Sequence, residues 1–321
     1  MKTSTIILLI VASSLVVLGL LVIAGAMVVN NWRLTDMGKK YEPKTFEITE
    51  DFSNISINTD TADITFMVSD SDSCKVVCYA EQKLNHSVKA SGGALSIDLV
   101  DTRKWYDHIN LFSFGQSAIT VYLPKTEYAG LSIKNSTGDV NISKDFSFES
   151  IDVRVSTGDV KNYASVSGGA YIKTSTGHIS VENISAGAMY LSVTTGHINV
   201  SSVNCEGEID ITVSTGKTRL SDVKCASLLS TGSTGDIFMS KVVATGDFSI
   251  ERSTGDVTFE SCDATNITVV TDTGEVEGSL LSDKVFIVRT DTGDIDVPRT
   301  TTGGKCEITT DTGDVEITVN K

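Results

Sequence analysis

Ten copies of a Thr-Gly dipeptide recur at a regular period in this sequence of 321 residues, and this period limits the possible folds more than any other feature. Successive glycines are 19 or 20 residues apart. They are Gly138, Gly158, Gly177, Gly196, Gly216, Gly235, Gly255, Gly274, Gly293 and Gly313. A repeat this short cannot bury its apolar side alone, so the period indicates a solenoid in which successive copies stack on one another.

The residues around each glycine alternate between apolar and polar, which is typical of strands with one buried side. The residue two positions after the glycine is β-branched in all ten copies, and Thr218 is the one that is neither valine nor isoleucine. The residue five positions before it is aliphatic except at Ser230. The pattern predicts an all-β, single-stranded solenoid of the parallel β-helix type. Ten rungs about 4.8 Å apart would form a rod roughly 45 Å long.

The ten glycines are expected to be structural turns. Glycine reaches the positive φ of a sharp corner without the steric penalty that a Cβ brings. Threonine precedes the glycine in all ten copies, so its hydroxyl is expected to bridge neighbouring rungs. With rungs stacked in chain order, the run Val315–Val319 is expected at the less protected far edge.

An uncharged stretch of 24 residues from Ile6 to Val29 precedes the repeats. As a helix it would be about 36 Å long, which is enough to cross a bilayer. We predict a signal anchor with the following body outside the cell; a cleaved signal peptide ending near residues 24–26 is the alternative. Lysine and arginine counts on the two sides favour the opposite orientation, but large domains are exported largely regardless of charge.

The region between the anchor and the repeats is expected to cap the solenoid. Residues 60–64 match a degenerate rung with Ala62 in place of glycine, and residues 91–94 match the turn of a β-hairpin. Four aromatic residues, Trp105, Tyr106, Phe112 and Phe114, are expected to cover the end of the core. The predicted layout is a cytoplasmic tail (1–5), a transmembrane signal anchor (6–29), a juxtamembrane linker (30–48), an irregular β cap (49–130) and regular rungs (131–321).

Composition restricts the partners. The formal charge is −15 and the 26 lysines and arginines form no run, which argues against a nucleic-acid partner. The expected partners are the lipid bilayer, through the N-terminal helix, and an envelope protein or glycan. Six cysteines are too few for a disulfide scaffold. The pairs Cys74/Cys78 and Cys205/Cys225 leave two possibilities, oxidised bridges or buried free thiols.

Several segments together resemble a known family. The segment ITVYLPK (119–125) leads into Leu131-Ser132-Ile133, and copies of Ser-Thr-Gly-Asp-Val follow. With the apolar N-terminal stretch, they resemble the bacterial adhesin domain of unknown function, the LiaG-like family, over residues 49–321. The resemblance implies a right-handed-type β-solenoid in an envelope protein that has no catalytic residues.

Some side chains recur at the repeat period and are therefore candidate site residues. No nucleophile motif or phosphate-binding loop is present, so no enzyme activity and no cofactor are predicted. His178 and His197 follow the glycine in consecutive repeats, either as a metal-binding or pH-sensitive pair or as solvated corner residues. Tyr171 and Tyr190 are 19 residues apart, and either contact a glycan or pack on the surface.

Acidic residues gather at the corners of the last three repeats. Each corner offers one carboxylate two positions before the glycine and one directly after it, and the six are Asp272, Glu275, Asp291, Asp294, Asp311 and Asp314. Carboxylate oxygens suit Ca²⁺, so weak calcium binding at this edge is the hypothesis. The alternative is a solvated acidic edge whose side chains cap turn amides.

Two functions from different classes are consistent with the sequence. The first is a membrane-anchored display or adhesive binding module of the cell envelope, without catalysis. The second is an accessory or sensing protein of an envelope-stress response that acts through membrane partners.

Overall fold

The computed structural model describes residues 10–21, 24, 41–81, 84–101 and 117–320 of the chain. Residues 10–21 are α-helical. Within the described residues, no helix is long and apolar enough to cross a membrane. The predicted span, residues 6–29, falls partly outside the described residues. The four aromatic residues expected to cover the cap, Trp105, Tyr106, Phe112 and Phe114, lie wholly outside them.

The rest of the described chain is built from strands. Seven precede the first Thr-Gly corner: β1 (Tyr41–Ile48), β2 (Asn54–Thr61), β3 (Asp63–Val68), β4 (Cys74–Glu81), β5 (Leu84–Ser91), β6 (Ala94–Asp101) and β7 (Ala118–Leu123). Ten strands, here called the first flank, lead into the corners: β8 (Glu127–Thr137), β10 (Ser147–Thr157), β12 (Ser165–Thr176), β14 (Ser185–Thr195), β16 (Glu208–Thr215), β18 (Ser227–Thr234), β20 (Asp247–Thr254), β22 (Asn266–Thr273), β24 (Lys284–Thr292) and β26 (Gly304–Thr312). Ten strands, the second flank, leave them: β9 (Val140–Ile142), β11 (Val160–Asn162), β13 (Ile179–Glu182), β15 (Ile198–Cys205), β17 (Thr218–Cys225), β19 (Ile237–Ala244), β21 (Val257–Cys262), β23 (Val276–Leu280), β25 (Ile295–Asp296) and β27 (Val315–Val319).

Each flank is a parallel sheet in which a strand pairs with the equivalent strand of the next rung. In the first flank, for example, Ile151 of β10 lies between Leu131 of β8 and Ala170 of β12. The inward side chains form continuous apolar ladders, and burying one such aliphatic side chain contributes about 1.5–3 kcal/mol. The chain is therefore an all-β solenoid of about ten turns, as the repeat period predicts.

The N-terminal end adds parallel strands first and antiparallel strands outside them. β2 and β3 pair in parallel with β8 and β9, and Thr61 is in register with Thr137, which confirms the degenerate rung with Ala62 at its corner. β6 and β7 extend the two flanks by a further parallel strand each. Antiparallel strands then follow, β5 on β6, β4 on β7 and β1 on β4. The predicted hairpin is confirmed, because Ser91 pairs with Ala94 across two glycines of positive φ.

The C-terminal rungs do not stack in chain order. β22 pairs with β26 and not with β24, and β26 pairs with β24 on its other side. In the second flank, β27 lies between β23 and β25 in the same way. The expectation that Val315–Val319 forms the far edge is therefore wrong. The outermost rung is formed by β24 and β25, and its Ile287 and Ile295 are exposed.

The corner glycines are required by close stacking as well as by backbone conformation. Gly216 has a φ of 140°, and a Cβ there would lie 1.6 Å from the carbonyl oxygen of Gly196 in the preceding rung. Gly274 has no such φ, yet its Cβ would lie 2.1 Å from the carbonyl oxygen of Gly255. The threonines directly before the glycines are exposed. Hydroxyl bonds to the glycine carbonyls come instead from threonines three residues before a glycine, namely Thr174, Thr290 and Thr310.

A second corner follows the glycine by six residues in five consecutive rungs. The residue there has a φ of 52–55° although it is never glycine. The five are Asn183, Ser202, Asp222, Lys241 and Ser261. This corner turns the chain inward again, so that Val203 and Cys205, for example, are buried beyond it.

A single arginine explains two exceptions in the apolar pattern. Arg252 is only 2% exposed, and its Nη2 donates a hydrogen bond to Ser230 Oγ at 2.8 Å and lies 3.4 Å from Thr218 Oγ1. Its Nη1 donates to the Glu251 carbonyl oxygen at 2.8 Å. Gly232 leaves room for the guanidinium, because a Cβ there would lie 3.0 Å from Nη1. Burial lowers the pKa of Arg252 to about 10.

The six cysteines are buried free thiols. The structure thus decides between the two possibilities left for Cys74/Cys78 and Cys205/Cys225. Removal from water disfavours the thiolate, and this burial raises the pKa of Cys74, Cys78 and Cys225 to about 12. These cysteines act as small apolar side chains of the core.

Candidate functional site

At several corners the side chain directly after the glycine binds the backbone of the neighbouring rung. Asp139 Oδ1 accepts a hydrogen bond from the Asp159 amide at 2.8 Å, and Asp256 Oδ1 accepts one from the Glu275 amide at 2.9 Å. Asp63 does the same for Asp139 at 2.9 Å. An aspartate at this position therefore satisfies a backbone donor that the corner would otherwise leave without a partner.

The predicted calcium edge is not assembled as a site. Its residues Asp272, Glu275, Asp291, Asp294, Asp311 and Asp314 are all exposed. Because the last rungs are out of chain order, Asp314 lies between Glu275 and Asp294, and its Oδ1 accepts the Asp294 amide at 2.8 Å. In the part of the chain that the structure describes, no group of three or more acidic, histidine or cysteine side chains could hold a metal ion. Asp314 thus caps an amide as the solvated alternative expects, and calcium binding at this edge stays a prediction.

His178 and His197 do lie side by side, with ring centroids 5.0 Å apart. His197 replaces an aspartate as a cap, since its Nδ1 accepts the Lys217 amide at 2.9 Å. His178 Nδ1 lies 3.0 Å from Asp159 Oδ1. Burial raises the pKa of Asp159, but the hydrogen bonds from the side chain and backbone of His178 outweigh it, so the pKa is held below its usual value. His197 therefore belongs to the row of corner caps, whereas His178 is held by the capping carboxylate of Asp159.

A row of cations crosses the outer face of the first flank. Lys134, Arg154 and Lys173 each stand four residues before a corner glycine, and they are in register in three successive strands. All three are exposed, and they line a groove of about 400 Å³. Polar residues beside them in the groove include Asn58, Ser136, Ser156, Ser175 and Tyr171. The sequence pattern alone was not used to predict this row, although its three cations stand at the same distance from a corner glycine.

Tyr171 and Tyr190 form the aromatic row that the sequence suggested. Their ring centroids are 4.7 Å apart and the planes are 5° from parallel, so the two rings cover each other. The other face of Tyr171 is covered by Arg154, whose Cζ lies 4.8 Å from the ring centroid. Arg154 in turn donates to both carboxylate oxygens of Asp152, at 2.9 and 3.1 Å. Tyr171 therefore offers no free ring face on which a sugar could stack.

Comparison with known proteins found one matching family model and several similar solved structures. A family model described as Toastrack DUF4097 matches residues 52–240 and 206–321. Two solved structures from Parabacteroides distasonis are similar over most of their length: a "putative lipid binding protein" (TM-score 0.45, 14% identity, 88% of this chain and 98% of that chain) and a "putative adhesin" (TM-score 0.46, 14% identity, 87% and 98%). A "putative adhesin" from Parabacteroides merdae has a TM-score of 0.44 at 13% identity and covers 87% of this chain and 96% of its own. No curated protein sequence matches the chain.

Proposed function

This chain belongs to the Toastrack DUF4097 family, and we propose that it is a non-enzymatic binding module displayed from the cell envelope. The observation that carries the proposal is the row of Lys134, Arg154 and Lys173 along an open groove on an otherwise acidic rod. Stacked rungs hold equivalent side chains in straight rows at a fixed spacing, and such a surface recognises a partner by contact. The descriptions of the two Parabacteroides adhesins agree with this proposal.

The corner side chains support a structural and binding role over a catalytic one. Several aspartates after the glycines accept a backbone amide through Oδ1, and His197 accepts one through Nδ1, so these atoms hold neighbouring rungs together. A general base or nucleophile needs such an atom free and directed at a substrate. We therefore assign these residues to the cohesion of the rod.

Anchoring by residues 6–29 is part of the proposal. The stretch contains no charged residue, and its predicted length matches the apolar thickness of a bilayer. An acidic body avoids adhering to anionic lipid headgroups, which would keep the groove accessible to other partners. The repeat body would then face the outside of the cell.

Two measurements on intact cells test the proposal. Protease added outside should digest the repeat body without lysis, and full protection until lysis would overturn the outward orientation. Crosslinking followed by affinity purification should then recover an envelope polymer or a surface ligand. Recovery of a membrane kinase or transporter alone would instead favour the accessory role in an envelope-stress response.

A further inference from the structure

The three cations of the first flank form a bounded patch. Along their row, Lys134 is followed on one side by Asn58 and then Asp98, and Lys173 is followed on the other side by Ser192. In the parallel row two residues nearer the N-terminus, Tyr190 is followed by Asp210. In this part of the row, positive charge is thus limited to three successive rungs, which span about 10 Å at the usual strand spacing.

The cationic groups of the patch are available to a ligand. Neither Lys134 nor Lys173 forms an ion pair with any residue that the structure describes. Arg154 is fixed by Asp152 and Tyr171, and its Nη1 has no hydrogen-bond partner among the described residues. A second groove, of about 480 Å³ on the second flank, differs because Lys217 there is paired with Asp236 at 2.9 Å.

We propose that the groove along Lys134, Arg154 and Lys173 binds a linear anionic polysaccharide that runs parallel to the rod axis. The inference rests on the proposed function for access to such a polymer. Carboxylate or phosphate groups of successive units meet the cations in turn, and Arg154 donates from its Nη1. Ser136, Ser156 and Ser175 run beside the cations and hydrogen-bond the sugar hydroxyls.

The charge distribution selects a narrow chain over a broad surface. A duplex or a membrane would extend past the three rungs and meet a body whose formal charge is −15. That body repels an extended anionic surface, because binding of such surfaces depends on many cationic contacts. A single polymer strand touches only the patch and avoids most of this repulsion.

The experiment measures binding of the full chain, purified in a nonionic detergent, to polygalacturonate and to phosphorylated dextran. Unmodified dextran is the neutral control. The test variant is the triple substitution Lys134→Gln, Arg154→Gln and Lys173→Gln. The matched control, Lys144→Gln, Lys161→Gln and Lys224→Gln, removes the same charge from exposed residues that share no row. Calorimetric titrations at several salt concentrations give the dissociation constants.

The test variant should bind both charged polymers at least about tenfold more weakly, and the control variant should keep most of the affinity. The dependence of log K on log salt should become shallower by about 2, at ~0.7 for each of three lost contacts. Tighter binding of polygalacturonate would indicate a carboxylate ligand, and tighter binding of phosphorylated dextran would indicate a phosphate ligand. Should the test variant unfold, as judged by circular dichroism, the single substitution Lys173→Gln takes its place.

Three results would overturn the inference. They are equal affinity for charged and neutral dextran, equal loss of affinity in the two triple variants, and tighter binding of duplex DNA or of phosphatidylglycerol vesicles than of either polymer. None of them depends on where the chain resides. Failure here is therefore distinguishable from failure of the protease test on intact cells.

Discussion

The two ends of the rod finish the same stack in different ways. At the N-terminal end the outer strands β1, β4 and β5 run antiparallel to the strands that they cover. At the other end β24 and β25 continue the parallel direction, and each pairs with a strand on one side only among the described strands. Ile64 near the first end is fully buried, whereas Ile295 at the second is 48% exposed.

The difference shows how a solenoid stops. The outer strands of a parallel rung present unpaired backbone amides and carbonyls, on which another parallel rung can form. Every added rung therefore leaves the same unpaired edge. Antiparallel outer strands interrupt this parallel series. In addition, β1 contains Pro43, which suits an edge strand because proline has no amide to donate. The β24–β25 end has no reversal, and its stability rests on one neighbour.

The largest difference between the interior and the open end should come from the corner glycines. Gly216→Val should destabilise the fold by more than about 4 kcal/mol, because its Cβ would overlap the Gly196 carbonyl in a stack that is closed on both sides. Gly293→Val clashes too, with the Gly313 carbonyl at 2.2 Å, but it lies in the outermost rung. Thermal melting should show global loss for the first and local fraying for the second. Equal melting temperatures would contradict the difference between the interior and the end.

Truncation of one isoleucine at each end compares their packing. Ile64→Ala removes a fully buried side chain and should cost about 3 kcal/mol, within the usual range for such cavities. Ile295→Ala removes a half-exposed side chain and should cost less than about 1 kcal/mol. Urea unfolding gives both values. A larger cost at Ile295 would show that the open end is covered in solution.

Engineered disulfides test the order of the last rungs. Thr268 is in register with Glu307, and Glu307 with Ile287, so Thr268 and Ile287 lie two strands apart. The pair Thr268→Cys with Glu307→Cys should oxidise and add about 2 kcal/mol of stability. The pair Thr268→Cys with Ile287→Cys should stay reduced. Mass spectrometry without reductant shows which of the two disulfides forms. The reverse result would show that the last rungs stack in chain order.

The last prediction concerns the buried arginine, which lies nearer the open end than the closed one. Ser230→Ala removes the hydroxyl that accepts from Arg252 and should cost about 1.5 kcal/mol, as for other bonds to buried charged groups. In an Arg252→Met background the same substitution should cost almost nothing. A double-mutant cycle by urea unfolding measures this coupling. Additive costs would show that the hydroxyl does not support the guanidinium.

Local chemistry made most of the fold predictable. Each corner glycine could be located from its own repeat, since the requirement for it arises within two adjacent rungs. The order of the last rungs could not, because the segments around Gly274, Gly293 and Gly313 are nearly identical and any of them can stack on any other. The positive φ of the second corner was not predicted, because Asn183, Lys241 and their equivalents share a position without sharing a residue type.

The candidate site was less predictable for a different reason. The tyrosine row was visible from its spacing, but the covering of Tyr171 by Arg154 depends on how side chains of neighbouring rungs orient. The calcium hypothesis counted carboxylates without knowing that Asp314 is used by an amide. Thr218 and Ser230 were visible as exceptions, and only the contacts of Arg252 gave them a common cause.

The displaced rung has a consequence for the timing of folding during synthesis. β24 emerges before β26 during synthesis or export, yet its partner in the finished rod is β26. If β24 paired first with β22, that pairing would have to break before β26 could pair with β22. Rungs up to Gly274 can close one after another as the chain emerges, whereas the tip of the rod can be completed only after residues 304–319 have appeared. Growth of the rod is therefore sequential along most of its length and delayed at its end.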